Sequence, residues 1–153
     1  MIKINLDSIK RKKVRITHLD GKLPNMALMK LSHWHKSQGD KVFFTKSINK
    51  SFLEDDYDIV YGSSIFDFSR KKRELFLKNF PHAIIGGTGT TNNRKVEEII
   101  NLKSYEYFDY DIYPEFENSI GFSQRGCRLA CKFCVVSKKE GKNIHNDSIS
   151  RIW

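Results

Sequence analysis

Long apolar runs are missing from this sequence: nothing in it approaches the ~18 consecutive apolar residues that a membrane span needs. Residues 1–13 are basic but have no apolar centre, so they do not read as a secretory signal. These absences point to a cytoplasmic protein. Cysteine is scarce, with three residues in 153. An odd count without a signal argues against a disulfide framework and for a reducing compartment. The chain has no Ser/His/Asp set and no phosphate loop of the G-x4-G-K-[ST] form, and Gly86-Gly87-Thr88-Gly89 is too short for a nucleotide fingerprint. That stretch reads as a tight strand-end turn. The histidines do not assemble either. His33 and His35 are two apart on a predicted helix and point about 200° apart, while His18 and His82 flank predicted strands and read as structural.

Hydrophobic residues make up 39% of the chain and aromatics 12%, enough for a core and against wholesale disorder. The net charge of +9 is uneven: residues 1–50 hold twelve Lys or Arg against three acids, 51–100 seven against eight, and 101–153 eight against seven. The excess lies in the first third, around Lys10-Arg11-Lys12-Lys13-x-Arg15. Such a run can meet nucleic acid, but no aromatic platform is interleaved with it. A solvated face, or one docking an acidic partner, is the plainer reading.

The apolar pattern alternates between strands and helices. Residues 13–19 (KVRITHL) predict a first strand through Val14 and Ile16, followed by an Asp20-Gly21 turn. A helix runs from Pro24-Asn25 to Gln38, with Ala27, Leu28, Leu31 and Trp34 or His35 as its buried stripe and Gly39 at its C-terminal cap. Strands follow at 41–45 and 58–61. A helix at 69–80 turns Leu75, Phe76 and Phe80 inward and stops at Pro81. A strand at 83–85 and a helix at 93–102, through Val96, Ile99 and Ile100, complete the series. This predicts an α/β fold with a mostly parallel sheet. Its glycine-bearing loops fall at the carboxyl edge, where open α/β sheets bind ligands. Residues 104–118 (SYEYFDYDIYPEFEN), acidic and aromatic with Pro114 near the end, read as a linker.

All three cysteines fall within one run, Gly121-Phe122-Ser123-Gln124-Arg125-Gly126-Cys127-Arg128-Leu129-Ala130-Cys131-Lys132-Phe133-Cys134, spaced C-x3-C-x2-C. Three thiolates on one short loop can converge on a metal. A cubic iron–sulfur cluster normally takes four cysteines, so three would leave one iron open to a chelating small molecule. Zinc would want four protein ligands, or three and water; His145, eleven residues past Cys134, is the candidate fourth. Zinc sites, however, tend to pair close ligands in two knuckles, and no second pair exists here. Arg125, Arg128, Lys132, Lys138, Lys139 and Lys142 surround the run against Glu140. Cations favour thiolates and offset the negative charge of a thiolate-bound cluster.

Cys127-x3-Cys131-x-Phe133-Cys134 resembles the C-x3-C-x-aromatic-C signature of the radical S-adenosylmethionine (SAM) enzymes. The resemblance implies that Cys127, Cys131 and Cys134 ligate a 4Fe-4S cluster whose fourth iron binds the amino and carboxylate groups of SAM. It implies reductive cleavage of SAM to a 5′-deoxyadenosyl radical, an electron donor such as flavodoxin or ferredoxin, and Phe133 beside the adenine. Residues 119–123 would be the first strand of the family's partial TIM-like barrel, with the cysteine loop at its carboxyl end. Asn146-Asp147 would cap a helix through residues 149–153. The barrel needs about six βα units and this sequence supplies one. The expectation is therefore an N-terminal or split piece, not competent alone, that seeks the remaining barrel or a protein partner. The alternative is a non-enzymatic zinc module with a basic face on nucleic acid or a partner.

A second resemblance covers residues 13–105. Leu23-Pro24-Asn25-x2-Leu28-Met29-Lys30-Leu31, Gly39-Asp40-Lys41-Val42 and Ile84-Ile85-Gly86-Gly87 are similar to the cobalamin-binding-type, flavodoxin-like domain that precedes many radical SAM barrels. Thr17-His18-Leu19-Asp20-Gly21 departs from that family's D-x-H-x2-G, so cobalamin is implied by the fold alone. The expected organisation is this domain over 1–105, a linker over 106–118 and the start of a radical SAM domain over 119–153.

Overall fold

The computed structural model describes residues 11–92, 94–129 and 131–146. The chain forms two compact units, Met1–Ile112 and Tyr113–Trp153. The first unit is built on four parallel strands, β1 (Lys13–His18), β2 (Lys41–Thr45), β3 (Ile59–Ser63) and β4 (Ile84–Gly86), in the order β2-β1-β3-β4. Helix α1 (Met26–Ser37) follows β1, and α2 (Arg70–Asn79) links β3 to β4.

Successive residues of β3 show which helix covers which face, because neighbouring side chains on a strand point to opposite sides. Tyr61 meets His35 of α1, its hydroxyl 3.2 Å from Nε2. Gly62 faces α2 so closely that a Cβ there would lie 2.9 Å from Phe76. The sheet is thus sandwiched. Val14 and Ile16 are fully buried with Leu28 and Met29; on the other side Leu19, Phe76 and Phe80 form a core with Ile48, Tyr57, Val60 and Ile85.

α1 forms where the sequence places it. Asn25 caps its start, the side-chain oxygen accepting from the Leu28 N–H at 3.3 Å. Past its end Gly39 adopts φ +81. Its N–H donates to Lys36 O and that of Asp40 to His35 O, both at 3.0 Å, the two bonds of a Schellman ending. On α2, Phe76 and Phe80 are buried, but Leu75 is 44% exposed: one residue from Phe76 turns it about 100° off the buried stripe. The helix expected over 93–102 is only α3 (Val96–Ile99). Lys95 gives it no side-chain cap, and Asn101 leaves the helical region at φ 56.

Two segments replace packing that helices would otherwise supply. The β2–β3 crossover has no helix; Arg15, 1% exposed in the middle of β1, holds it instead. Its guanidinium pairs with Glu54 and donates to Ser47 O at 2.8 Å and Asn49 O at 3.3 Å, and it lies 4.5 Å from the Phe80 ring centre. On the α1 side, residues 105–112 run along the helix. Asp109 accepts from Ser32 and from Lys36 at 2.7 Å, while Lys30 pairs with Glu97 and Glu106. Much of the stretch expected as a linker is thus part of the first unit's packing.

The second unit has β5 (Gln124–Arg125) paired antiparallel with β6 (His145–Asn146), and a four-residue α4 (Val136–Lys139). The strand expected over 119–123 does not form. A strand needs a partner for its backbone groups, and the partner here is β6, opposite Gln124 and Arg125. The helix expected over 149–153, Lys10 of the basic run and the side chain of His145 lie outside the described residues. Among the described residues no helix is long and apolar enough to cross a membrane.

Candidate metal centre

The cysteine run leaves β5 through Gly126 and returns to β6 through Gly141 and Asn143. Its two ends are tied at the base. The Cys127 N–H donates to Gly141 O at 3.2 Å. Arg125 Nη1 lies 3.4 Å from a Glu140 carboxylate oxygen, and the same guanidinium lies 4.5 Å from the Phe122 ring centre. Gly126 makes the close return possible: φ is +83, and a Cβ would sit 2.0 Å from Asn143 O. No side chain fits there.

Between these ends the three thiols are free; Cys127 and Cys134 are half-buried and Cys131 is exposed. The Cys134 N–H donates to Cys131 O at 3.1 Å, closing a turn from the second cysteine to the third. Phe133, between them, is 94% exposed. Among the described residues no three His, Cys, Asp or Glu side chains are grouped closely enough to hold a metal. The fold thus places Cys127, Cys131, Phe133 and Cys134 on one accessible, basally tied loop without drawing the sulfurs together. The donor set itself suits an iron–sulfur cluster: three thiols, with Arg128 and Lys132 as cationic neighbours and no competing carboxylate inside the loop.

The carboxyl edge of the parallel sheet is the other place where this fold class puts ligands. The loops after β1, β3 and β4 interlock there around Asp20. Its carboxylate accepts from the Ser64 hydroxyl at 2.6 Å and the Ile65 N–H at 2.7 Å. Burial alone would push the Asp20 carboxyl up, but these hydrogen bonds outweigh it and hold it below the ordinary range. Arg73 donates to the Ser64 hydroxyl and to Phe66 O, and Thr88 donates to Ile65 O. His18, at the end of β1, is 3% exposed. Burial pushes its pKa down, a hydrogen bond to the Asp20 backbone and the Asp20 charge oppose this, and Lys46 and Lys72 push it further down. The imidazole of Thr17-His18-Leu19-Asp20-Gly21 is thus buried at the carboxyl edge of the sheet, in a motif that departs from D-x-H-x2-G.

The tie between Arg125 and Glu140 and the seat of Gly126 were not singled out from sequence. The only signal for them was an Arg-Gly before the first cysteine and the pair Glu140-Gly141 six and seven residues after Cys134. The chain matches no family model, no curated protein and no solved structure in comparison with each.

Proposed function

We propose that the chain belongs to a radical SAM protein whose Cys127, Cys131 and Cys134 hold a 4Fe-4S cluster. The observation that carries this reading is the C-x3-C-x-Phe-C spacing on a single loop with accessible thiols. When bound, the cluster supplies the electron for reductive cleavage of SAM. The protein's own residues do the rest of the work at the loop. Gly126 and the Arg125–Glu140 pair hold Cys127 at the loop base, and the exposed Phe133 offers a ring for the adenine to stack on. Arg128 and Lys132 balance the thiolate charge. An electron donor of the flavodoxin or ferredoxin kind and further barrel strands, on this chain or a partner, are the expected associates.

The first unit fits the reading as a flavodoxin-like domain of the cobalamin-binding type: the strand order β2-β1-β3-β4 equals the first four strands of the 2-1-3-4-5 order. His18 does not stand in a D-x-H-x2-G motif, so any cobalamin here would be held without that motif's histidine. Iron and acid-labile sulfide analysis after anaerobic reconstitution tests the proposal. About four irons and four sulfides per chain, lost in Cys131→Ala, are expected. One zinc per chain with no sulfide would overturn it in favour of the zinc module.

A further inference from the structure

The basic run at residues 10–15 has no aromatic residue interleaved in its sequence, but the fold builds such a combination elsewhere. Phe66 and Phe68, in the loop between β3 and α2, stack with ring centres 4.9 Å apart and 12° between planes. They are 40% and 83% exposed. A stacked phenyl pair turned outward is unusual for a loop that could have buried one ring, since each exposed ring forgoes the favourable transfer of its apolar surface from water. Arg73 holds the loop in place from behind through Phe66 O at 2.9 Å.

Cations follow the pair directly in the chain. Arg70-Lys71-Lys72-Arg73 open α2, whose first turn holds no acidic residue. That arrangement opposes the helix dipole, which favours anions at this end. Lys71 and Lys72 make no ion pair among the described residues, and Arg70 reaches Glu74 only at 3.8 Å. Lys46 follows β2 at the same carboxyl edge of the parallel sheet, and both Lys46 and Lys72 are exposed. Asp67, 99% exposed, is the one acid in the loop, 3.8 Å from Arg73.

An aromatic platform flanked by exposed cations is the arrangement that receives single-stranded nucleic acid: the bases stack on the rings while the phosphates meet the cations. We propose that Phe66, Phe68, Arg70, Lys72 and Lys46 form a surface of the first unit that binds single-stranded RNA or DNA. Its recognition is by stacking and charge, with little sequence preference, because every base has a π-face. The anionic strand also relieves the charge conflict at the start of α2. This surface is independent of the cysteine loop and stands whether or not a cluster binds there.

The test is fluorescence anisotropy of a labelled single-stranded oligonucleotide with the full chain, over a series of salt concentrations. Phe68→Ala is expected to weaken binding on the order of tenfold to a hundredfold, and Lys72→Ala to lower the salt slope by about 0.7. Both side chains are exposed, so far-UV circular dichroism should be unchanged. Binding that survives Phe68→Ala at full strength would overturn the proposal and leave the 10–15 run as a purely electrostatic contact. Equal affinity for duplex DNA, or equal affinity for a mononucleotide, would also overturn it, as would no binding at low salt.

Discussion

Replacing Arg15 by Met is predicted to be among the most costly single changes in the first unit. The side chain is 2% exposed and its partner Glu54 17%. Met keeps most of the stem volume but removes every donor. Glu54 would keep the Ser51 N–H at 2.9 Å and the Tyr57 hydroxyl, but its charge would have no cation. Ser47 O and Asn49 O would lose a donor each. Removing one member of a buried pair typically costs about 3–5 kcal/mol, because the other is left as an uncompensated charge. Loss of the guanidinium over Phe80 adds up to ~1–2 kcal/mol. Against a total of about 5–15 kcal/mol for a domain, the variant should lose roughly a fifth of its stability or more. Urea unfolding followed by circular dichroism would show the midpoint falling with m unchanged. Arg15→Met with Glu54→Leu should recover much of the loss, since no lone charge remains. A cost below ~1 kcal/mol for Arg15→Met, the level of an exposed ion pair, would refute the claim that Arg15 organises the β2–β3 crossover.

Burial holds His18 and His35 below the ordinary value of 6.5. The unfolded chain therefore takes up protons as pH falls through 6.5 while the folded chain resists, and stability must fall, by at most ~1.4 kcal/mol per pH unit for each histidine. Urea midpoints should be lower at pH 5.5 than at pH 7.5, and equal midpoints would contradict the assignment. Gly126→Ala forces a Cβ into Asn143 O; reconstituted iron should drop about tenfold in affinity while unfolding of the first unit is unchanged, and full iron retention would show that the loop base is not needed. Gly62→Val pushes into Phe76 and Leu19 and should cost about 1–3 kcal/mol by overpacking, read from the thermal midpoint; an unshifted midpoint would mean that α2 can move away from β3.

How much of this was legible in the sequence depended on whether the determinants were local. α1 and the four strands of the parallel sheet carry their own periodicity, caps and breakers, as Asn25, Gly39 and Pro81 illustrate. Arg15 could not be read that way. In KVRITHL it occupies the position of an outward polar residue, and only the crossover folded over β1 makes that position interior. Asp109 likewise looks like part of an acidic linker until α1 offers Ser32 and Lys36. In the second unit the cysteine spacing was legible, being a matter of a few adjacent residues. The strand before it was not, because its pairing is fixed by residues twenty positions away in β6. The aromatic–cationic surface was missed for a related reason: Phe66 and Phe68 stack only after the single 3-10 turn Asp67–Ser69 bends the loop back on itself.

We propose that three cysteines of this loop hold a cluster with one iron open to SAM. Electron paramagnetic resonance of the reconstituted, reduced protein, recorded with and without SAM, tests it most directly. The account predicts a 4Fe-4S signal whose shape changes when SAM is added, and which disappears in Cys131→Ala. A silent spectrum from protein carrying stoichiometric zinc would contradict it.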